Sequence, residues 1–174
     1  MYIQLTQLSM EEQVECLTKA LVKIKSINGT SGEVKIADFI KNTLQSFPYF
    51  KENPLHVWEQ KINGDTLGRK NVFAFIQGSK KNAQTMIYHA HLDTVGIEDF
   101  GPLKDIALDP EELQRYFSMH NINEDVQRDA RSGEWMFGRG AVDMQSGIAV
   151  HLANVLHFTK HPNKLEGNVL FMVN

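Results

Sequence analysis

Three short apolar runs constrain this chain more than any other feature. Residues 71–76, 85–88 and 169–173 are dominated by Val, Ile, Leu, Phe, Met and Tyr, and polar or turn residues bound each run. Each is too short for an ordinary helix. Near-continuous apolarity over about four to eight residues suits strands buried on both faces of a sheet. Around them lie stretches with helical periodicity. Leu17, Leu21 and Ile24 follow Ser9 and Glu12, a capping-box pair, and Asn28-Gly29 supplies a stop. Val34, Ala37, Ile40 and Leu44 follow Thr30 and Glu33, a second such pair, and Pro48 ends that helix. Further helices are expected over 110–118 and about 144–158, the latter with Ile148, Leu152, Val155 and Leu156 inward. Residues 55–62 read as a strand with a turn at Asn63-Gly64-Asp65, and residues 135–137 as a short strand. Helices, strands, helix and strand in that order predict an α/β or α+β domain with helices covering a sheet.

Composition narrows the function classes. At 174 residues, 42% hydrophobic and 22% charged, the chain has the make-up of one globular domain with a real core. A net charge of −3 gives no general attraction for nucleic acid. No apolar run approaches the roughly 18–20 residues that span a bilayer, so no membrane partner is expected. The first residues lack a basic patch followed by an apolar stretch, so a cytoplasmic location is expected. Cys16, the single cysteine, lies inside a helical pattern and is expected as a buried, reduced thiol. Asn174 directly follows an apolar strand, which predicts a domain cut after a core strand; the exposed sheet edge would invite homo-oligomers.

Two constellations carry chemistry. The first is Tyr88-His89-Ala90-His91-Leu92-Asp93-Thr94, at the C-terminal end of an apolar run, where open α/β sheets place ligands. Strand alternation would send His89, His91 and Asp93 to one side. A neutral imidazole is a good metal ligand, and a carboxylate beside it fixes its tautomer. The bland alternative is a surface histidine and a turn aspartate. The second is Gly138-Arg139-Gly140-Ala141-Val142-Asp143-Met144-Gln145-Ser146-Gly147, a loop entering a helix. Asp143 there is either the helix N-cap or a carboxylate turned toward a metal. The third glycine of a dinucleotide fingerprint and the lysine of a P-loop are both missing. His157 and His161 have zincin spacing, but Phe158 stands where the glutamate belongs and Pro162 ends the helix.

Taken together, His91-x-Asp93 after a strand and Gly-Arg-Gly-Ala-x-Asp143-Met before a helix resemble the di-zinc exopeptidase and amidohydrolase family. That family includes aminoacylase, acetylornithine deacetylase and succinyl-diaminopimelate desuccinylase. The stretch from Thr94 to Asp105 is most similar to its arginine-utilisation, RocB-like branch. The resemblance runs from the first helix to Asn174 and covers the opening part of a family member. It implies a mixed sheet flanked by helices, a phosphorylase/hydrolase-like zinc-peptidase catalytic domain, incomplete at its C-terminus. It also implies that His91 ligates one zinc, that Asp93 orients it as an active-site residue, and that Asp143 bridges two zincs. Cobalt and manganese are compatible with the same donors. The substrate implied is a small peptide or N-acyl amino acid. The family's general-base glutamate and its remaining ligands would follow Asn174, so the 174 residues alone are expected to be inactive. Ala90 and Gln145 depart from the usual glycine and lysine. A non-catalytic relative that binds a ligand or a subunit is the alternative reading.

Overall fold

The structure is a computed structural model and describes residues 2–80, 83–120 and 122–174. Four strands, β1 (Val57–Lys61), β2 (Lys70–Ile76), β3 (Thr85–Ala90) and β4 (Asn168–Val173), form one sheet in the order β1-β2-β4-β3. The β1–β2 and β2–β4 pairs are antiparallel, and β3–β4 is parallel. The sheet is therefore mixed, as the family resemblance implies. The parallel pair requires a crossover, which holds α5 (Pro110–Met119), α6 (Glu124–Ser132) and α7 (Ser146–Lys160).

Alternation decides which side of the sheet is core. Register pairs Val72 with Val173, Ala74 with Phe171 and Ile76 with Val169, and all six side chains are buried. The opposite face carries Phe73, Phe75, Leu170 and Met172, which are only half-buried. The expectation of strands buried on both faces is thus corrected. One face is packed, and β3, at the sheet edge, leaves Met86 and Ile87 61% and 55% exposed.

Helices cover the packed face. α2 (Met10–Val22) starts where expected: Glu12 N donates to Ser9 Oγ and Ser9 N donates to Glu12 Oε2, a complete capping box. Its stripe of Leu17, Leu21 and Val22 is buried, and so are Ile148, Leu152 and Leu156 of α7, its main packing partner. Cys16 falls off that stripe and is exposed, against expectation. α3 (Gly32–Gln45) buries Ile36, Ala37, Ile40 and Leu44 against β1 and β2. The expected Thr30–Glu33 box does not form. Glu33 Oε1 instead accepts from Gly29 N at 2.5 Å, and Thr30 Oγ1 accepts from Gly32 N at 3.2 Å. Short helices α1 (Tyr2–Leu5) and α4 (Pro48–Glu52) complete the set. Residues 135–137 form no strand; they are irregular chain leading from α6 to the glycine-rich loop. No helix among the described residues is long and apolar enough to cross a membrane.

Candidate metal centre

The site is built at the exit of β3. Strand pairing with β4 continues there: Asn174 N donates to Ala90 O at 3.2 Å and Leu92 N donates to Asn174 O at 2.8 Å. Leu92 is buried, while its neighbours His91 and Asp93 are partly exposed. Two residues on, Thr94 is gripped by the α2–α3 loop, donating to Ser26 O and accepting from Asn28 N, each at 2.9 Å.

The glycine-rich loop closes on this exit from the other side. Gly140 has φ +80, and a Cβ there would stand 2.6 Å from Thr94 Cγ2. Only glycine, lacking that atom, allows so close an approach in that conformation. Gln145 N donates to Gly140 O at 2.9 Å, and the buried Gln145 amide reaches Leu92 O and Ser26 Oγ at 3.3 and 3.4 Å. Met144 Sδ accepts from His91 N at 3.4 Å. The Asp143–Met144 peptide is cis. Asp143 has φ −121 and ψ 97, and α7 starts only at Ser146, so Asp143 is not the helix N-cap.

These contacts bring His91 and Asp143 together across 52 residues, with Nε2 and Oδ1 2.9 Å apart. On the other side of the ring, Nδ1 lies 3.1 Å from the Asp93 carbonyl and 3.2 Å from Asp93 Oδ1. That arrangement directs Nε2 outward, toward Asp143. Burial pushes the His91 imidazole down, but the hydrogen bonds to Asp143 and the Asp93 carbonyl, with both carboxylate charges, outweigh it and leave the pKa raised. The cleft here has a volume of 360 Å³, and Thr94, Phe137, Gly140 and Val142 line it with the pair.

The donor set fits two ligands of a divalent ion. Donors roughly 2.0–2.1 Å from a tetrahedral ion stand about 3.3 Å apart, close to the separation of His91 Nε2 and Asp143 Oδ1. Among the described residues no three His, Cys, Asp or Glu side chains gather into a group that could hold an ion.

His91, Asp93 and Asp143 are therefore assembled as the sequence suggests, but His89 is not. β3 ends at Ala90, so alternation does not carry through to Asp93, and His89 Nε2 meets Asn174 Oδ1 at 2.8 Å. His157 and His161 lie at the C-terminal end of α7, remote from its Asp143 end. Asn28, which donates to Asp93 Oδ2 at 3.0 Å, was legible only as a helix stop. A larger groove of 690 Å³ lies between α2, α5 and α7 beside Trp135 and Val142, and it contains no histidine.

An imidazole flanked by two carboxylates thus lies at the exit of a mixed sheet, and the comparisons with known proteins give the class, a metallopeptidase-type domain. Residues 71–174 match the model of peptidase family M28, and the chain belongs to that family. It is 62% identical over 173 residues to Protein RocB of Bacillus subtilis, covering 99% of this chain and 31% of that protein. It is similar in fold to human carnosine dipeptidase 1, with a TM-score of 0.58 and 18% identity over 99% of this chain and 33% of that one. An M20 family metallo-carboxypeptidase from Sulfolobus solfataricus gives a TM-score of 0.56 and 21% identity over 94% of this chain and 30% of that one. The chain spans 29–31% of the length of the curated relatives it matches.

Proposed function

We propose that the chain carries one side of the metal site of a zinc-dependent hydrolase. Its substrates would be amide bonds in small peptides or N-acyl amino acids, within cytoplasmic amino-acid catabolism, arginine included. The observation that carries this reading is the 2.9 Å approach of His91 Nε2 to Asp143 Oδ1, with Asp93 behind the ring. His91 and Asp143 would hold the metal, and Asp143, 83% exposed, has a second oxygen free to bridge to another ion. When bound, divalent ions polarise a scissile carbonyl and acidify water. Asp93 keeps His91 Nδ1 occupied, so that Nε2 is the nitrogen offered. Thr94, Gly140 and Gln145 hold the two ligand-bearing segments against each other. The arginine branch rests on the resemblance carried by the Thr94–Asp105 stretch.

Catalytic zinc sites usually take three protein ligands. With two such donors in place, the 174 residues by themselves bind metal weakly and do not turn over substrate. The lack of a third converging donor among the described residues is also what favours the second reading, a ligand-binding or subunit-interaction module. Zinc titration of the chain and of His91→Ala and Asp143→Ala separates the two. Weak binding lost in both variants supports the hydrolase. Binding that is absent, or indifferent to both substitutions, supports the module. Zinc-dependent amidase activity in the pure chain would refute the claim of inactivity.

A further inference from the structure

A second layer of contacts lies behind His91. Asp93 divides its carboxylate between two partners: Oδ1 stands 3.2 Å from His91 Nδ1, and Oδ2 accepts from Asn28 Nδ2 at 3.0 Å. Asn28 comes from 65 residues upstream, on the loop between α2 and α3. That loop is fixed on three sides. Thr94 N donates to Ser26 O and Asn28 N donates to Thr94 O, which lay the loop alongside the strand exit. Ser26 is fully buried, and its Oγ accepts from Gln145 Nε2. Downstream, Gly29 N donates to Glu33 Oε1, while Glu33 Oε2 lies 3.5 Å from Arg69 Nη1. Arg69 is clasped in turn by Asp65, at 2.7 Å from Nη2 and 2.8 Å from Nε.

A carboxylate turns easily about its last torsion, which is broad and roughly two-fold. Left alone at a strand exit, Asp93 would present either oxygen, or neither, to the imidazole. A donor fixed on Oδ2 removes that freedom and leaves Oδ1 facing Nδ1. The amide suits the task because it donates a hydrogen bond without adding a charge beside two carboxylates.

We propose that Asn28 is a positioning residue of the metal centre, holding Asp93 so that the Nε2 lone pair of His91 points at the metal position. The proposal rests on the metal-centre reading above. Outer-shell partners of metal ligands typically contribute 10–100-fold to affinity. Asn28 acts one bond further out, which puts its contribution near the low end, about tenfold.

The test compares Asn28→Ala, Asn28→Asp, Asp93→Asn and His91→Ala in the 174-residue chain. Zinc affinity is read by competition with a chromogenic chelator, and the His91 Nδ1–H proton is followed by NMR in the metal-free protein. Asn28→Asp keeps the shape but replaces the donor with a carboxylate facing Asp93. A role in loop shape alone would leave that variant unchanged. Expected are an affinity about tenfold lower in Asn28→Ala, a larger loss in Asn28→Asp, and faster solvent exchange of the Nδ1–H signal in both. Unfolding midpoints should hold, because Asn28 is exposed and its backbone bonds remain. Asn28→Asp with native affinity and native exchange would overturn the proposal. So would loss of affinity in Asn28→Ala with full recovery in Asn28→Asp. If His91→Ala leaves zinc affinity intact, the metal-centre reading fails, and the Nδ1–H exchange in the Asn28 variants still decides whether Asn28 positions the ring.

Discussion

Gly140 is where the two ligand-bearing segments touch, and replacing it with alanine should cost more than its backbone conformation alone predicts. Two terms add. A non-glycine residue held in the left-handed region costs about 1–2 kcal/mol, and Gly140 has φ +80. The new Cβ would then stand 2.6 Å from Thr94 Cγ2 and 3.2 Å from Gln145 Cγ. Thr94 and Gln145 are 4% and 1% exposed, so neither can swing into solvent to make room. Overpacking of that kind costs about 1–3 kcal/mol. Gly133 provides the internal control. It has φ +76, but an added Cβ would meet nothing within 4 Å, so Gly133→Ala carries only the backbone term. Urea unfolding followed by the fluorescence of Trp58 and Trp135 should therefore place Gly140→Ala about 1–3 kcal/mol below Gly133→Ala. Zinc affinity should fall in the first variant only, because Thr94 adjoins Asp93 and Gln145 lies two residues beyond Asp143. Equal unfolding midpoints for the two alanine variants would refute the packing argument. An unchanged zinc affinity in Gly140→Ala would refute the link to the site.

Two further outcomes follow from groups away from the pair. His151 packs against Tyr88 and Phe171, its Nδ1 is buried without a partner, and burial pushes its pKa below the ordinary 6.5 despite a hydrogen bond to the His89 backbone. The unfolded chain takes up this proton below about pH 6.5 while the folded one resists it. Its contribution to stability is thus complete above that pH and falls as pH drops toward the depressed folded value. His151→Phe should flatten this part of the decline, read as the native-minus-variant difference in urea midpoint between pH 7.5 and 5.5; an unchanged difference would count against it. At the sheet edge, Met86 and Ile87 of β3 are exposed beside backbone that no other strand among the described residues pairs. We expect concentration-dependent self-association, measured by light scattering, that Ile87→Lys reduces; a native chain that stays monomeric at high concentration would sink that reading.

What was legible in the sequence divides along physical lines. Local signals held: the Ser9–Glu12 box, the inward stripes of α2 and α7, and the strand character of residues 71–76, 85–88 and 169–173. His91, Asp93 and Asp143, which the family resemblance singles out, lie together in the structure. Two local readings fail, the Thr30–Glu33 box, because Glu33 accepts from Gly29 N instead, and the strand over 135–137; other failures depend on partners distant in sequence. Apolarity in 85–88 does not say that β3 lies at an edge, because its neighbours are set by a crossover of more than seventy residues ending at β4. Cys16 lies off the stripe that Leu17 and Leu21 already mark in the sequence, so its exposure follows from the helix period and the expectation of a buried thiol overlooked it. Asn28 reads locally as a helix stop, but α2 already ends at Val22; the local reading fails there and hid a hydrogen bond made across the fold.

The polar stretch over residues 97–134 shows how a segment with weak periodicity can still be structural. Length and polarity alone are compatible with either a lid over the site or a mere insertion. The described part, which omits Asn121, is mostly helical and contributes Ala107, Leu113 and Ala130 as buried anchors. Arg139 N, inside the glycine-rich loop, donates to Ala107 O at 2.8 Å. The Arg139 guanidinium also pairs with Asp99 and lies 5.1 Å over the Phe100 ring. A lid needs contacts that release easily, whereas a backbone bond, an ion pair and a cation–π contact on one residue fix a segment in place. The stretch therefore acts as a buttress. It holds Arg139 through that backbone bond, ion pair and ring contact. The buttress bears on the loop rather than on the cleft, since none of its residues lines that cleft, and its polarity reflects an outer surface in water.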